Sequence, residues 1–236
     1  FIAMLNETLL NVALPSIMND FGASASTVQW LSTGYMLVNG ILIPITAFLI
    51  QKFSVRHLFL SAIALFTIGT FVAGFAPTFG ILLAARMVQA AGSAIMMPLL
   101  MNVLLTSFPV EKRGGAMGFF GLVMIFAPAV GPTLSGWILQ HYTWEMLFHL
   151  VSPIAFILLI ASFFMLKDKK ASVKIHLDYL SVVLSSIGFG GVLYGFSSAG
   201  NKGWNVPEVY VTIVIGMVAL LFFIVRQFNL KHPMLE

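Results

Sequence analysis

Two stretches place ionisable side chains where chemistry could be done. FIAMLNETLLNVALP sets Glu7, flanked by Asn6 and Thr8 and followed at i+4 by Asn11, inside an apolar run that ends at Pro15. AARMVQAAGSAIMMP sets Arg86 inside a second run, with Gln89 three residues on and on the same helical face. Glu7 stands about 12 residues from the far end of its run, roughly 18 Å deep at 1.5 Å per residue, close to the middle of a ~30 Å hydrocarbon layer. An isolated carboxylate there costs several kcal/mol unless it is protonated or paired. Such a group can take a proton from one side and release it to the other. Arg86 stays charged, so it must face a bundle interior or a water-filled cavity, and it needs an acceptor. The two residues are therefore expected to be linked, directly or through water.

The elements that hold these residues follow from composition. Of 236 residues, 59% are hydrophobic and 8% charged, against about 25% charged in a soluble domain. The solvent of this chain is lipid, and the expected fold is an all-α integral membrane bundle. Apolar runs of spanning length fall at roughly 1–18, 27–50, 58–76, 80–106, 115–140, 146–166, 178–199 and 209–228. Of the 12 Lys and Arg, Lys52, Arg56, Lys112, Arg113, Lys167, Lys169, Lys170, Lys174, Arg226 and Lys231 fall on one side of that arrangement. By the positive-inside rule this is the cytoplasmic side, and it takes both ends of the chain. The net charge of +4 then reflects topology, and nucleic acid is not an expected partner. There is no cysteine, and the acids are too scattered for a metal cage. No cofactor or metal is expected beyond protons as coupling ion. Trp30, Trp137, Trp144 and Trp204 fall toward the outer boundary, as an aromatic belt would.

The linker KDKKASVKIH divides the chain into a six-helix domain (1–166), a cytoplasmic linker (167–177) and two further helices with a tail (178–236). Six-helix transporter halves are often built from two inverted three-helix repeats. LPSIMN in the first span and MPLLMN in the fourth are a faint echo of such a repeat. In the fifth span, GFFGLVMIFAPAVGPTLSGWI, Ala127, Gly131 and Ser135 recur every four residues, a small-residue face that admits a close helix neighbour. Gly131-Pro132 removes a backbone hydrogen bond. The glycines of SIGFGGVLYG lie within a span with no strand before them, so Gly191-x-x-x-Gly195 reads as close helix packing rather than a nucleotide loop.

The whole spacing of the fifth span, Gly118, Ala127, Gly131-Pro132 and Ser135-Gly136, resembles the antiporter motif of proton-coupled drug exporters in the major facilitator superfamily. Small residues replace glycine at Ala127 and Ser135. NETLLNVALP resembles the first-helix signature of the fourteen-helix drug:proton antiporter branch, matching at Thr8, Asn11, Ala13 and Pro15. Here Asn6 takes the place of the family's Asp, and the acid stands one residue later at Glu7. QWLSTGYML is similar to the second helix at Gln29, Trp30 and Tyr35, and ARMVQAAG to the fourth at Arg86 and Gln89. AFLIQKFSVR keeps Leu49, Lys52 and Arg56 of the loop motif, with Gln51 for its Asp and Ser54 for its Gly. This pattern is similar to Gram-positive lincomycin and multidrug exporters.

The resemblance implies the six-helix N-terminal bundle plus two extra transmembrane helices, with a second six-helix half absent from these residues. It implies a secondary active transporter rather than an enzyme, in a bacterial plasma membrane, exporting lipophilic, often cationic drugs or dyes by proton antiport. Glu7 and Arg86 would couple the proton. Asn6, Asn11, Trp30, Tyr35, Met36, Asn39, Gln89, Met97 and Phe126 are candidates to line the substrate cavity, where soft and aromatic side chains suit flat cations. A nutrient symporter or uniporter on the same fold is the alternative, and a membrane-embedded sensor or enzyme the second.

Overall fold

The computed structural model describes residues 1–167 and 176–234. Most of the linker, with Lys169, Lys170 and Lys174, lies outside the described residues. The described residues are almost all helical and contain no strand. The elements are α1 (Ile2–Phe21), α2 (Ala25–Val28), α3 (Trp30–Lys52), α4 (Val55–Gly74), α5 (Phe79–Ser107), α6 (Val110–His141), α7 (Glu145–Met165), α8 (Tyr179–Lys202) and α9 (Pro207–Asn229). Among the described residues there are seven membrane candidates: α2 runs on into α3 as one span, and α4 to α9 are each long and apolar enough. The first span does not qualify, because Asn6, Glu7, Asn11 and Asn19 dilute its apolar run. That polarity fits its place in the bundle, where Leu9, Ala13 and Ile17 are fully buried.

Connections are short and chemically explicit. Gly22, at φ 61°, closes α1 in the left-handed conformation that glycine adopts at low cost. Ser24, Ser54 and Thr78 each cap a helix by accepting a backbone N–H. Pro15, Pro44, Pro98, Pro128, Pro132 and Pro153 all sit inside helices, which membrane bundles tolerate because neighbours satisfy the freed backbone groups.

The six helices α1, α3, α4, α5, α6 and α7 pack as two interlocked sets of three. α1 lies on α6 as α5 lies on α3, the pairing an internal repeat produces, whereas α5 packs far more closely on α4 than α1 does on α7. One apolar core joins them through Leu9, Leu31, Phe66, Leu82, Leu147 and Phe148. Lipid gives helices no hydrophobic reason to associate, so close packing of small residues does the work. A Cβ on Gly92 would stand 2.4 Å from the Ala62 carbonyl oxygen, so α4 and α5 touch backbone to backbone.

α8 and α9 form an antiparallel pair of the same kind, with Gly191 against Gly216. Their pair leans on α3, where the Thr33 and Ser197 hydroxyls are 3.2 Å apart and Trp30 stacks on Tyr194 at 5.8 Å. At the other end Met234 packs on Phe48 and Phe223. The belt expectation needs one correction. Trp137 and Trp204 are exposed, but Trp144 is only 3% exposed and donates its indole N–H to Asp20 at 2.9 Å, tying α7 to α1.

Candidate functional site

Arg86 is the largest fully buried side chain described, at 0% exposure. It does not reach for headgroups. Its Nη1 donates to Gln89 Oε1 at 2.7 Å and to Asn6 Oδ1 at 3.2 Å. Its guanidinium carbon lies 4.2 Å from the centre of the Tyr35 ring, a cation–π contact that is worth about 2 kcal/mol when desolvated. Gln89 Nε2 in turn donates to Asn6 Oδ1 at 2.8 Å and to Thr70 Oγ1 at 2.7 Å. Four helices thus contribute to one buried polar cluster: Asn6 from α1, Tyr35 from α3, Thr70 from α4, and Arg86 with Gln89 from α5. Such networks fix geometry when every member is satisfied.

This cluster is not fully satisfied. Arg86 Nε and Nη2 are buried and have no hydrogen-bond partner among the described residues. These two nitrogens form one edge of the guanidinium, the fork that a carboxylate fits with two bonds. Glu7 is adjacent in sequence to Asn6 and close enough for its charge to act on Arg86. It is half-buried, and no ion pair joins it to Arg86 among the described residues. The acceptor is Asn6 instead. One residue is about 100° of helix, so Asn6 turns to α5 and Glu7 turns off that line. Thr8, on the next face, donates to the Met4 carbonyl at 2.5 Å.

The fifth-span motif meets α1 at the same level. Ala127, Gly131 and Ser135 are all buried. A Cβ on Gly131 would stand 2.7 Å from Thr8 Cβ, and Ser135 Oγ donates to the Leu9 carbonyl at 2.9 Å. The small face therefore seats α6 on the turn of α1 that carries Glu7. Gly118 and Pro132 are exposed, Gly136 is half-buried, and Cβ atoms on Gly118 and Gly136 would meet nothing within 4 Å.

The remaining cavity candidates are dispersed. Asn11 is exposed and accepts from Ser32 Oγ at 2.8 Å. Asn39 and Ser93 border the Tyr35 hydroxyl, and Asn39 Oδ1 is buried without a partner. Trp30 is half-buried against Tyr194, Met97 is half-buried, Met36 is 56% exposed, and Phe126 is 58% exposed and stacks on Phe1. A hollow of about 460 Å³ lies elsewhere, between Leu104, Phe108 and Phe119. Thr70 was not anticipated as a site residue, because a threonine in an apolar span reads as one that bonds to its own helix backbone.

Among the described charged groups outside the spans, Asp178 is the most strongly perturbed. Arg226 donates to both of its oxygens, at 2.7 and 2.9 Å, and holds its carboxyl down at about 2.

Residues 1–232 match the model of the Major Facilitator Superfamily. An uncharacterized transporter of that type from Bacillus subtilis, YcnB, is 55% identical over all 236 residues, which cover 50% of its own length. The lincomycin resistance protein LmrB of Bacillus subtilis is 45% identical and the multidrug export protein EmrB of Haemophilus influenzae 30% identical. Each matches the whole chain, over 50% and 47% of its own length. The chain therefore spans about half the length of the curated relatives it matches. With a bundle of spanning helices, a buried intramembrane cation and a match over nearly every residue, the chain belongs to the Major Facilitator Superfamily, a family of transporters and not of enzymes.

Proposed function

We propose that the chain is the N-terminal half of an exporter that exchanges protons for lipophilic, often cationic compounds. A second six-helix half would complete the cavity, and both ends of the chain would face the cytoplasm. The observation that carries this reading is the open fork of Arg86, buried beside the helix that holds Glu7. Glu7 is half-buried and α1 is the most polar long helix of the bundle. When protonated, Glu7 has no charge to pair and stays turned from Arg86. When it loses its proton, its carboxylate is drawn to the guanidinium edge, and α1 is pulled toward α5. A cationic compound near Glu7 would compete with the proton for the same carboxylate. Differential binding of this sort is what biases one conformation over another, and rocking of one half against the other is the established means in such folds.

The names of relatives that confer lincomycin resistance or export multiple drugs support the substrate class. The seating of Gly131 and Ser135 on α1 supports exchange over symport, because the motif that resembles the exporters' own meets the turn carrying Glu7. The test is proton-driven dye uptake into everted vesicles by the full-length gene product carrying Glu7→Gln. Proton-driven transport should be abolished, and binding of a cationic dye should weaken because its carboxylate partner is gone. Unimpaired proton-driven uptake removes Glu7 as the carrier.

A further inference from the structure

Thr70 stands in α4, fully buried, with no charge and no place in the motifs above. It reaches the polar cluster because Gly69 precedes it. A Cβ at position 69 would lie 2.7 Å from both the Ala85 carbonyl oxygen and the Gln89 backbone nitrogen, so α4 and α5 are in backbone contact at this level. The Thr70 hydroxyl has one proton, and it goes to the Phe66 carbonyl at 2.7 Å. Its oxygen therefore meets Gln89 as an acceptor, at 2.7 Å.

That assignment fixes the rest. A primary amide has one donating end and one accepting end. With the Gln89 NH2 held between Thr70 and Asn6 Oδ1, Gln89 Oε1 must face Arg86, and it does so at 2.7 Å. Arginine can only donate. The direction of donation runs unbroken from Arg86 to Gln89 to Thr70 to the α4 backbone. Without the hydroxyl, the amide loses one of its two acceptors and is free to turn its NH2 toward the guanidinium. That end cannot accept a bond from Arg86. The cation would then keep only the longer bond to Asn6, and its fork would no longer be aimed by α4.

We infer that Thr70 is a positioning residue that orients Arg86 through Gln89 for coupling to Glu7. The inference rests on the proposed role of Arg86. Among the described residues, the titratable groups near enough for their charge to act on Arg86 are Tyr35 of α3 and Glu7 of α1.

The experiment uses the full-length gene product in proteoliposomes with ethidium as the lipophilic cation. Proton-driven transport is followed from pH 6 to 8, and ethidium exchange is followed with no proton gradient. Thr70→Val removes the acceptor at constant shape, Thr70→Ser keeps it, Gln89→Met breaks the same chain one step later, and Arg86→Ala removes its target. Arg86 would lose an aimed hydrogen bond, so Thr70→Val should slow proton-driven transport roughly tenfold, about 1.4 kcal/mol. It should change the pH profile and leave gradient-free exchange intact. Thr70→Ser should follow wild type, and Thr70→Val with Gln89→Met should be no worse than either alone. If Thr70→Val does not accumulate, Thr70→Ala removes the same acceptor and is read in the same way. A variant lacking the acceptor with the wild-type profile and rate, alongside an inactive Arg86→Ala, overturns the positioning role alone. Equal losses in driven transport and exchange also overturn it, since they mark a purely structural residue. Normal driven transport by Arg86→Ala, or no ethidium transport by wild type, overturns the proposed function and this inference with it.

Discussion

Gln89 Nε2 donates to Asn6 Oδ1 at 2.8 Å across a separation of 83 residues. The same offset superimposes LPSIMN, starting at Leu14, on MPLLMN, starting at Met97. The contact joins the first and fourth spans of the bundle amide to amide. Arg86 then bridges the pair from one side, with Nη1 on each of their oxygens.

This geometry makes the acid's position in α1 testable. Asn6→Asp would put a carboxylate oxygen where Arg86 Nη1 now finds an amide oxygen at 3.2 Å. In the full-length gene product, Asn6→Asp combined with Glu7→Gln should regain proton-driven dye efflux that Glu7→Gln alone lacks. Efflux that stays at the Glu7→Gln level would mean that the 100° step between the two positions cannot be spanned by the cluster.

The glycines rank by what their missing Cβ would meet. Gly92→Ala drives a methyl to 2.4 Å from a backbone oxygen, which can move only if α4 and α5 part. Overpacking of this kind costs about 1–3 kcal/mol or more. Gly131→Ala meets Thr8 Cβ at 2.7 Å and should cost less than Gly92→Ala, because α6 has few other neighbours to restrain it. Gly136→Ala meets nothing within 4 Å and should stay within about 0.5 kcal/mol of wild type. Thermal unfolding in detergent orders the three. A neutral Gly92→Ala would contradict the backbone contact.

The helices were legible because lipid demands long apolar runs, and each run ends where polar residues begin. Their partners were not. In water an amphipathic face marks the buried side, but in lipid the outer surface is as apolar as the core. Nothing in α3 announced that α8 would cover Trp30 and Thr33. The buried Arg86 was legible from its charge alone, and so was the face it shares with Gln89. That Asn6 rather than Glu7 would reach it was not, because the two differ by one residue and both fit the periodicity. Trp144 was misread for a similar reason: an indole suits a membrane boundary and a buried bond to Asp20 equally well.

Tyr35 offers a separate test of how the cation is held. Its ring face lies 4.2 Å from the Arg86 guanidinium carbon. Tyr35→Phe keeps the ring and loses only the hydroxyl that Ser93 and Asn39 border. Tyr35→Leu removes the π surface and should be less stable than Tyr35→Phe by about 2 kcal/mol beyond the difference in packing. In the Arg86→Met background that difference should shrink to the packing term, and a difference that persists in full would remove the cation–π account.

The ion pair at the root of the last two helices carries its own pH signature. Asp178 accepts from Arg226 at 2.7 and 2.9 Å and from Ser181, and Ser181 accepts from Gln227 at 2.8 Å. Gln227 accepts the Met234 backbone N–H, so the pair also anchors the tail. Arg226 lowers the Asp178 carboxyl from its ordinary 3.8 to about 2. A carboxyl depressed on folding stabilises above its unfolded value and stops doing so as pH falls through its folded one. The contribution is therefore complete at pH 5 and unchanged at pH 8. Asp178→Asn should lower the unfolding temperature by the same few degrees at both, with the gap closing only toward pH 2. A gap that widens between pH 5 and 8 would mean that this ion pair does not set the pH dependence of the last two helices.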